Sequence, residues 1–186
     1  MVFLIKSIEE LNGIEIENGG IIPFSFYEND FYFLFGRYGK DIKGNSQIWG
    51  ELGGKINKEK NNNFDGTIRK FWENVNGIIG TREGLKNYVT NDFSNLLIVY
   101  DDEYKGVIIF LPVEYDKKLE KIFIGATQMN KYILDKKGEI MKAKKRNLLE
   151  RDQVKWFKLG ELIENKNKFK KSNEEIINFI NNKFSC

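Results

Sequence analysis

The feature that most constrains how this chain folds is a passage from an extended run into a helix across a pair of glycines. Gln47 to Leu52 reads as extended and runs into Gly53-Gly54, which marks a sharp backbone feature. A polar stretch containing Asn61-Asn62-Asn63 follows. Phe64, Ile68, Phe71 and Val75 then recur at helical spacing, with Asn63 or Asp65 placed to cap the helix and Gly77 to stop it. Around this segment, Val2 to Ile5, Ile21 to Phe26, Phe31 to Phe35, Leu96 to Tyr100, Gly106 to Val113 and Val154 to Phe157 read as strands. The second and third of these form a hairpin through Tyr27-Glu28-Asn29-Asp30, and Gly36 to Ser46 reads as a loop. Leu159 to Glu164 and Ser172 to Phe184 read as helices, the latter capped by Ser172 with Glu175 at the capping-box position. Glu114 to Asn130 and Tyr132 to Lys145 carry no decisive period. The expected class is α+β, a mixed β-sheet sandwiched between helices, as a single domain over residues 1–186.

Composition narrows the chemistry. The chain has no histidine, which removes Ser-His-Asp and Cys-His nucleophilic machinery and imidazole-based zinc sites. Its one cysteine is Cys186, so no disulfide forms within the chain and a reducing compartment is expected. Thirty Lys and Arg against 27 Asp and Glu leave +3, a balance that permits polyanionic ligands without demanding them. The longest apolar stretches, such as Val107 to Val113, are far shorter than the roughly 18 to 20 residues that span a bilayer, and no basic region followed by a cleavable apolar segment opens the chain. A cytoplasmic protein with no membrane partner is expected. Lys142 to Arg146 supplies a basic run whose ordinary reading is a solvated face and whose alternative is contact with RNA.

The stretch from Trp49 to Ile78, WGELGGKINKEKNNNFDGTIRKFWENVNGI, resembles the signature region of the Nudix superfamily. There a Gly-Gly turn leads through a loop carrying one glutamate to a helix with Arg-Glu, an apolar residue, any residue, Glu-Glu and a nearby glycine. The counterparts are Gly53-Gly54, Glu59, Arg69-Lys70, Phe71, Trp72, Glu73-Asn74 and Gly77, so the degenerate box spans residues 53–77. The run GGIIPFSFYENDFYFLFGRYG before it and QVKWFKLGELI near the end look like the flanking strands and the closing strand and helix of that fold. The wording FWENVNG is similar to viral and eukaryotic members, including the decapping branch.

The resemblance implies hydrolysis of a nucleoside diphosphate linkage, which needs divalent cations to neutralise phosphate and a carboxylate to activate water. Two matched carboxylates are missing, because Lys70 and Asn74 stand at glutamate positions and Glu73 alone survives. The replacements shift the local charge by about three units, and at about 4 Å each charge-to-charge interaction is worth roughly 4 kcal/mol at an effective dielectric near 20. A strong site for Mg²⁺ or Mn²⁺ is not expected, and no cofactor is required unless the chain is active. In an active form Glu73, Glu59 and a late carboxylate, Glu150 or Glu139, would hold the metal. Lys70 either pairs with Glu73 across the i, i+3 relation or faces the cleft as a phosphate-binding charge. If the rest of the ancestral site is intact, Lys70→Glu with Asn74→Glu should create metal-dependent activity. Asp65, Arg69 and Glu73 share one helical face, where ion pairing is the expected role.

A cationic base such as a methylated guanine cap is held by stacking on aromatic rings near a carboxylate. Phe24, Phe26, Tyr38, Trp49 and Tyr132 are the aromatic candidates, and Trp72 is a rim or ligand contact. Tyr38 and Trp49 flank the loop before the box and form the preferred pair, with Tyr38 the more exposed. The expected ligand-binding set is therefore Lys70, Arg69, Tyr38, Trp49 and Trp72. Three functions follow: a reader of capped RNA ends or another phosphorylated nucleotide with hydrolysis lost, a divergent metal-dependent pyrophosphohydrolase, or a scaffold for protein partners.

Overall fold

In the computed structural model, residues 3–5, 11, 14–39, 47–56, 63–91, 96–139 and 149–185 are described. The strands are β1 (Phe3–Ile5), β2 (Asn18–Tyr27), β3 (Asp30–Tyr38), β4 (Trp49–Gly50), β5 (Leu52–Lys55), β6 (Leu97–Asp101), β7 (Gly106–Pro112) and β8 (Arg151–Lys158). The helices are α1 (Asn63–Asn74), α2 (Arg82–Asn91), α3 (Leu119–Lys136), α4 (Leu159–Glu164) and α5 (Lys171–Phe184), with a 3-10 turn at Lys166–Lys168.

The strands form one mixed sheet. Its main path runs β1-β6-β7-β2-β3-β4, with β5 paired to β2 and β8 paired to β3. The β2–β7 pair is parallel and the others are antiparallel. One edge of β2 is shared: its first half pairs with β5 from Asn18 to Ile21 and its last residues pair with β3 from Phe24 to Tyr27. This splits the sheet at the level of the glycine pair. The hairpin turn between β2 and β3 uses Glu28 and Asn29 at positive φ (48° and 61°), the geometry of a tight two-residue connection.

Alternation along the strands sends side chains to two cores, as a sheet covered on both faces requires. Ile21, Leu34, Ile98, Ile109 and Trp156 pack with α1, α2 and α3, through Phe64, Ile68, Phe71, Val75, Leu85, Val89, Leu119 and Phe123. Their neighbours Ile22, Phe33, Phe35, Val99, Phe110 and Phe157 face the other way, onto Leu162 of α4 and Ile176, Ile177 and Ile180 of α5. The mixed sheet sandwiched between helices is therefore the observed architecture.

Several expectations change in detail. β3 continues through Gly36, Arg37 and Tyr38, where a loop was expected, because β4 and β8 pair with its two edges there. The glycine pair lies inside β5, since Gly53 sits opposite Gly20 and a Cβ on it would fall 2.2 Å from the Gly19 carbonyl oxygen. The undecided stretch after Glu114 is one 18-residue helix, α3. α2 was not anticipated, as only Leu85 and Val89 are buried among its side chains described, residues 82–90. α5 begins at Lys171 with no side-chain cap, so Ser172 lies inside the first turn instead of capping it.

Candidate functional site

A cleft of about 380 Å³ opens where β5, the start of β8, the β6–β7 turn and the first turn of α5 meet. Ile108 and Ile176 supply its apolar part, and the half-exposed ring of Tyr104 stands beside them. Glu51, Asp101 and Glu150 line it with carboxylates, and Lys55 and Lys170 with ammonium groups.

Behind this cleft lies a buried guanidinium. Arg151, the first residue of β8, is 2% exposed. Its Nε donates to Asn74 Oδ1 (3.0 Å), its Nη1 to the Gly36 carbonyl (3.2 Å) and its Nη2 to the Glu51 carbonyl (2.5 Å). The guanidinium carbon sits 3.5 Å from the centre of the Tyr38 ring, a stacked cation–π contact. One side chain thus joins the end of α1, two strands and the segment before the glycine pair. Glu51 is held a second time from α5: Asn173 Nδ2 donates to Glu51 Oε2 (2.6 Å) while the Glu51 N–H donates to Asn173 Oδ1 (3.1 Å).

The box helix brings its charges together in a self-neutralised group. Arg69 Nη1 contacts Glu73 Oε1 at 2.7 Å, and Lys70 Nζ lies 3.6 Å from Glu73 Oε2. Asp65 pairs with Lys86 of α2 at 3.0 Å. Two buried polar atoms at this end of α1, Glu73 Oε2 and Asn74 Nδ2, have no hydrogen-bond partner. The helix ends as the Gly77 N–H donates to the Trp72 carbonyl (3.0 Å) and Gly77 takes φ +71°.

Burial tunes the titratable groups. It pushes the Tyr38 phenol up to about 12, with Arg151 acting in the opposite direction. It also raises the Glu150 carboxyl against the pull of Arg151 and Lys70. Burial likewise raises Asp101, although its carboxylate accepts the Glu103 and Tyr104 N–H groups at 3.0 and 3.3 Å.

A divalent cation does not fit the described residues at this end of the box helix. Glu73 is already engaged by two cations, Asn74 offers a neutral oxygen that accepts from Arg151, and a buried guanidinium occupies the space beside it. Among the described residues no group of three or more His, Cys, Asp or Glu side chains is placed to hold a metal ion.

No family model and no curated protein sequence matches this chain. Solved structures do. The NUDIX domain of Shewanella oneidensis NrtR, complexed with ADP ribose, superposes with a TM-score of 0.51 at 10% identity over 97% of this chain and 99% of that one. The chain has a Nudix-like fold. The MutT protein from Methanosarcina mazei Go1 (TM-score 0.47, 14% identity, 92% and 96% of the two chains) and a C. elegans Ap4A hydrolase binary complex (0.47, 12%, 89% and 96%) also match. Within this Nudix-like fold, α1 occupies the segment read as the degenerate box and β5 carries its glycine pair.

The expected site residues are placed as follows. Lys70, Arg69 and Glu73 come together on α1, and Glu150 and Tyr38 line the cleft. Tyr38 is 4% exposed, contrary to its expected exposure, because Arg151 stacks on its ring. Trp49 is buried and packs edge-on against Phe157, its ring centre 5.0 Å away. Trp72 is partly exposed and lies over the Gly77 turn, away from the cleft lining. Phe24 is half-buried against Phe184, and Phe26 and Tyr132 are exposed outside the cleft. Glu139 closes the end of α3, its N–H donating to the Leu134 carbonyl at 2.8 Å. Glu59 and Lys142 to Arg146 lie outside the described residues. Sequence reasoning missed Arg151, Glu51, Asn173, Asp101, Tyr104 and Lys170. Glu51 alone carried a local signal, two residues before the glycine pair.

Proposed function

We propose that this chain binds a phosphorylated nucleotide in the 380 Å³ cleft without hydrolysing it. The observation that carries the reading is the Arg151 guanidinium hydrogen-bonded to Asn74, at the helix position where the Nudix pattern has a carboxylate. A fixed positive charge there opposes a second cation, and it neutralises nearby negative charge without an exchangeable ion. The NrtR domain of the same fold is complexed with ADP ribose, which supports a nucleotide derivative as ligand class.

The cleft divides by chemistry. Lys55 and Lys170 suit phosphate oxygens. Tyr104, Ile108 and Ile176 suit the flat face of a base, and the Asp101 and Glu51 carboxylates suit its N–H edge. That edge favours guanine over adenine, and the negative wall with an aromatic ring favours a positively charged methylated guanine, hence an mRNA cap. The competing reading, an active pyrophosphohydrolase, would have to recruit Glu73 away from Arg69 and Lys70.

The test is calorimetric titration with methylated cap analogue, GTP and ADP-ribose, each with and without Mn²⁺, with chromatography of the same samples for product. Calorimetry is preferred because none of the three tryptophans lines the cleft. Saturable, metal-independent binding with no product is expected. Product formed only with Mn²⁺ would refute the loss of hydrolysis, and no binding by any ligand would favour a scaffold. The Lys70→Glu/Asn74→Glu variant should stay inactive with Mn²⁺, because Arg151 remains to pair with the new carboxylate at position 74.

A further inference from the structure

The turn between β6 and β7 brings a carboxylate and an aromatic ring to the cleft as one unit. Asp101 ends β6 and is 7% exposed. Its Oδ1 accepts the Glu103 and Tyr104 N–H groups, which ties the ring-bearing residue to the carboxylate. Its Oδ2 is left without a hydrogen bond among the described residues, on a side chain that lines the cleft. Tyr104 is half-exposed, and its carbonyl accepts from Asn18 Nδ2 at 3.0 Å, so the turn is held from both ends. Among the described residues no aromatic ring packs on it.

The surrounding charges say what the free oxygen lacks. No Lys or Arg pairs with Asp101 among the described residues, and Glu103 and Glu175 add negative charge beside it. A carboxylate nine-tenths buried in such company is costly until a cation or further donors meet it. The lysines of the cleft stand elsewhere. Asp101 pairs with Gly106, Gly106 with Asn18 and Asn18 with Lys55, so Asp101 and Lys55 end one row. That row crosses three strand spacings, about 14 Å. Lys170 follows Phe169, which bridges to Trp49 of β4, so both lysines belong to the β4–β5 end. Gly106 has no side chain to fill the floor between the negative end and the positive one.

We propose that Asp101 and Tyr104 are the specificity-determining pair of the cleft, selecting a positively charged base through the Asp101 Oδ2 and the Tyr104 ring, and so a 7-methylated guanine over an unmodified one. This rests on the nucleotide reading above and adds which residues sense the charge of the base. The ring attracts a cationic base face to face, and the carboxylate oxygen accepts from its N–H donors while offsetting its charge.

The test is calorimetric titration of the full chain with 7-methyl-GTP and with GTP, read as the ratio of the two affinities. Wild type should favour the methylated nucleotide by about tenfold. Asp101→Asn keeps an oxygen to hold the turn and removes the charge, and should bring the ratio to about twofold or less. Tyr104→Leu should lower the ratio as well and weaken both nucleotides. Lys55→Met, at the far end of the row, should weaken both nucleotides alike and leave the ratio as it was. Matched thermal melts show whether Asp101→Asn folds. If it does not, Glu103→Gln reads the same charge from an exposed position with its N–H bond kept, and should lower the ratio by about twofold. Equal binding of the two nucleotides by wild type overturns the proposal. So does a folded Asp101→Asn, or in its place Glu103→Gln, with the wild-type ratio, or a ratio that falls as far with Lys55→Met. In each of those cases the nucleotide reading stands, whereas binding of neither nucleotide by wild type overturns that reading and this inference together.

Discussion

Replacing Arg151 by lysine keeps the charge and removes the fork, and the structure makes this conservative change a costly one. The guanidinium donates three hydrogen bonds in three directions, to Asn74, Gly36 and Glu51, while its flat face rests on Tyr38. A lysine ammonium is a single nitrogen on a flexible stem and cannot reach all three acceptors at once. At least one buried acceptor loses its partner, and a compact charge replaces a delocalised one that tolerated burial. Hydrogen bonds to charged groups contribute about 1.5 to 3 kcal/mol each, so losing one or two costs about 3 kcal/mol. Arg151→Met removes all of them and the charge, leaving three acceptors unmatched, and should cost about 4 to 5 kcal/mol. For a chain of this length about 1 kcal/mol corresponds to roughly 2 to 4 °C, so Arg151→Lys should lower Tm by about 10 °C. Urea unfolding followed by tryptophan fluorescence and by circular dichroism measures the difference directly. An Arg151→Lys variant within about 0.5 kcal/mol of wild type would refute the reasoning, since surface changes of no consequence fall in that range.

Three further outcomes follow from the same cluster. Asn173→Ala strands both the Glu51 N–H and its Oε2 and should cost about 2 kcal/mol in urea unfolding, while Asn173→Asp should cost more because it sets a carboxylate against Glu51 Oε2. Burial holds the Glu150 carboxyl above its ordinary value, so its contribution is most favourable below that value and is lost as pH rises through the folded one. Glu150→Gln should therefore melt higher than wild type at pH 7 and equal to it in acid, and a lower melt at pH 7 would contradict the burial argument. The Tyr38 phenol, pushed up to about 12 from 10.0, stays neutral longest, and its contribution to stability is lost between those two values. Tyr38→Phe should delete the last step of the tyrosinate absorbance titration.

Much of the fold was legible because the strands alternate and their neighbours agree. Phe33, Leu34 and Phe35 send successive side chains to opposite cores, and Phe64, Ile68, Phe71 and Val75 mark one face of α1. Legibility failed where burial was sparse or where pairing came from afar. Among its described side chains α2 buries only Leu85 and Val89, too few to show a period against its polar residues. Gly36 to Tyr38 looks like a loop because of its glycines and polar residues, yet β8 reaches it from residues 151–154 and makes it strand.

The site divides along the same line. A motif read from sequence reports the carboxylates it has lost, and Lys70 and Asn74 were visible for that reason. The group that answers the loss was invisible, because Arg151 meets Asn74 across 77 positions and no local pattern links them. Its consequence goes beyond filling space. A buried asparagine with Oδ1 tied to a guanidinium and Nδ2 left without a partner is an imperfectly satisfied pair. A glutamate at position 74 would answer the same guanidinium with a full charge and leave no donor stranded. Asn74→Glu alone should therefore leave the fold as stable as wild type or more so, although it restores a motif residue. A loss above about 1 kcal/mol would mean that the pair is better matched as it stands than its hydrogen bonds suggest.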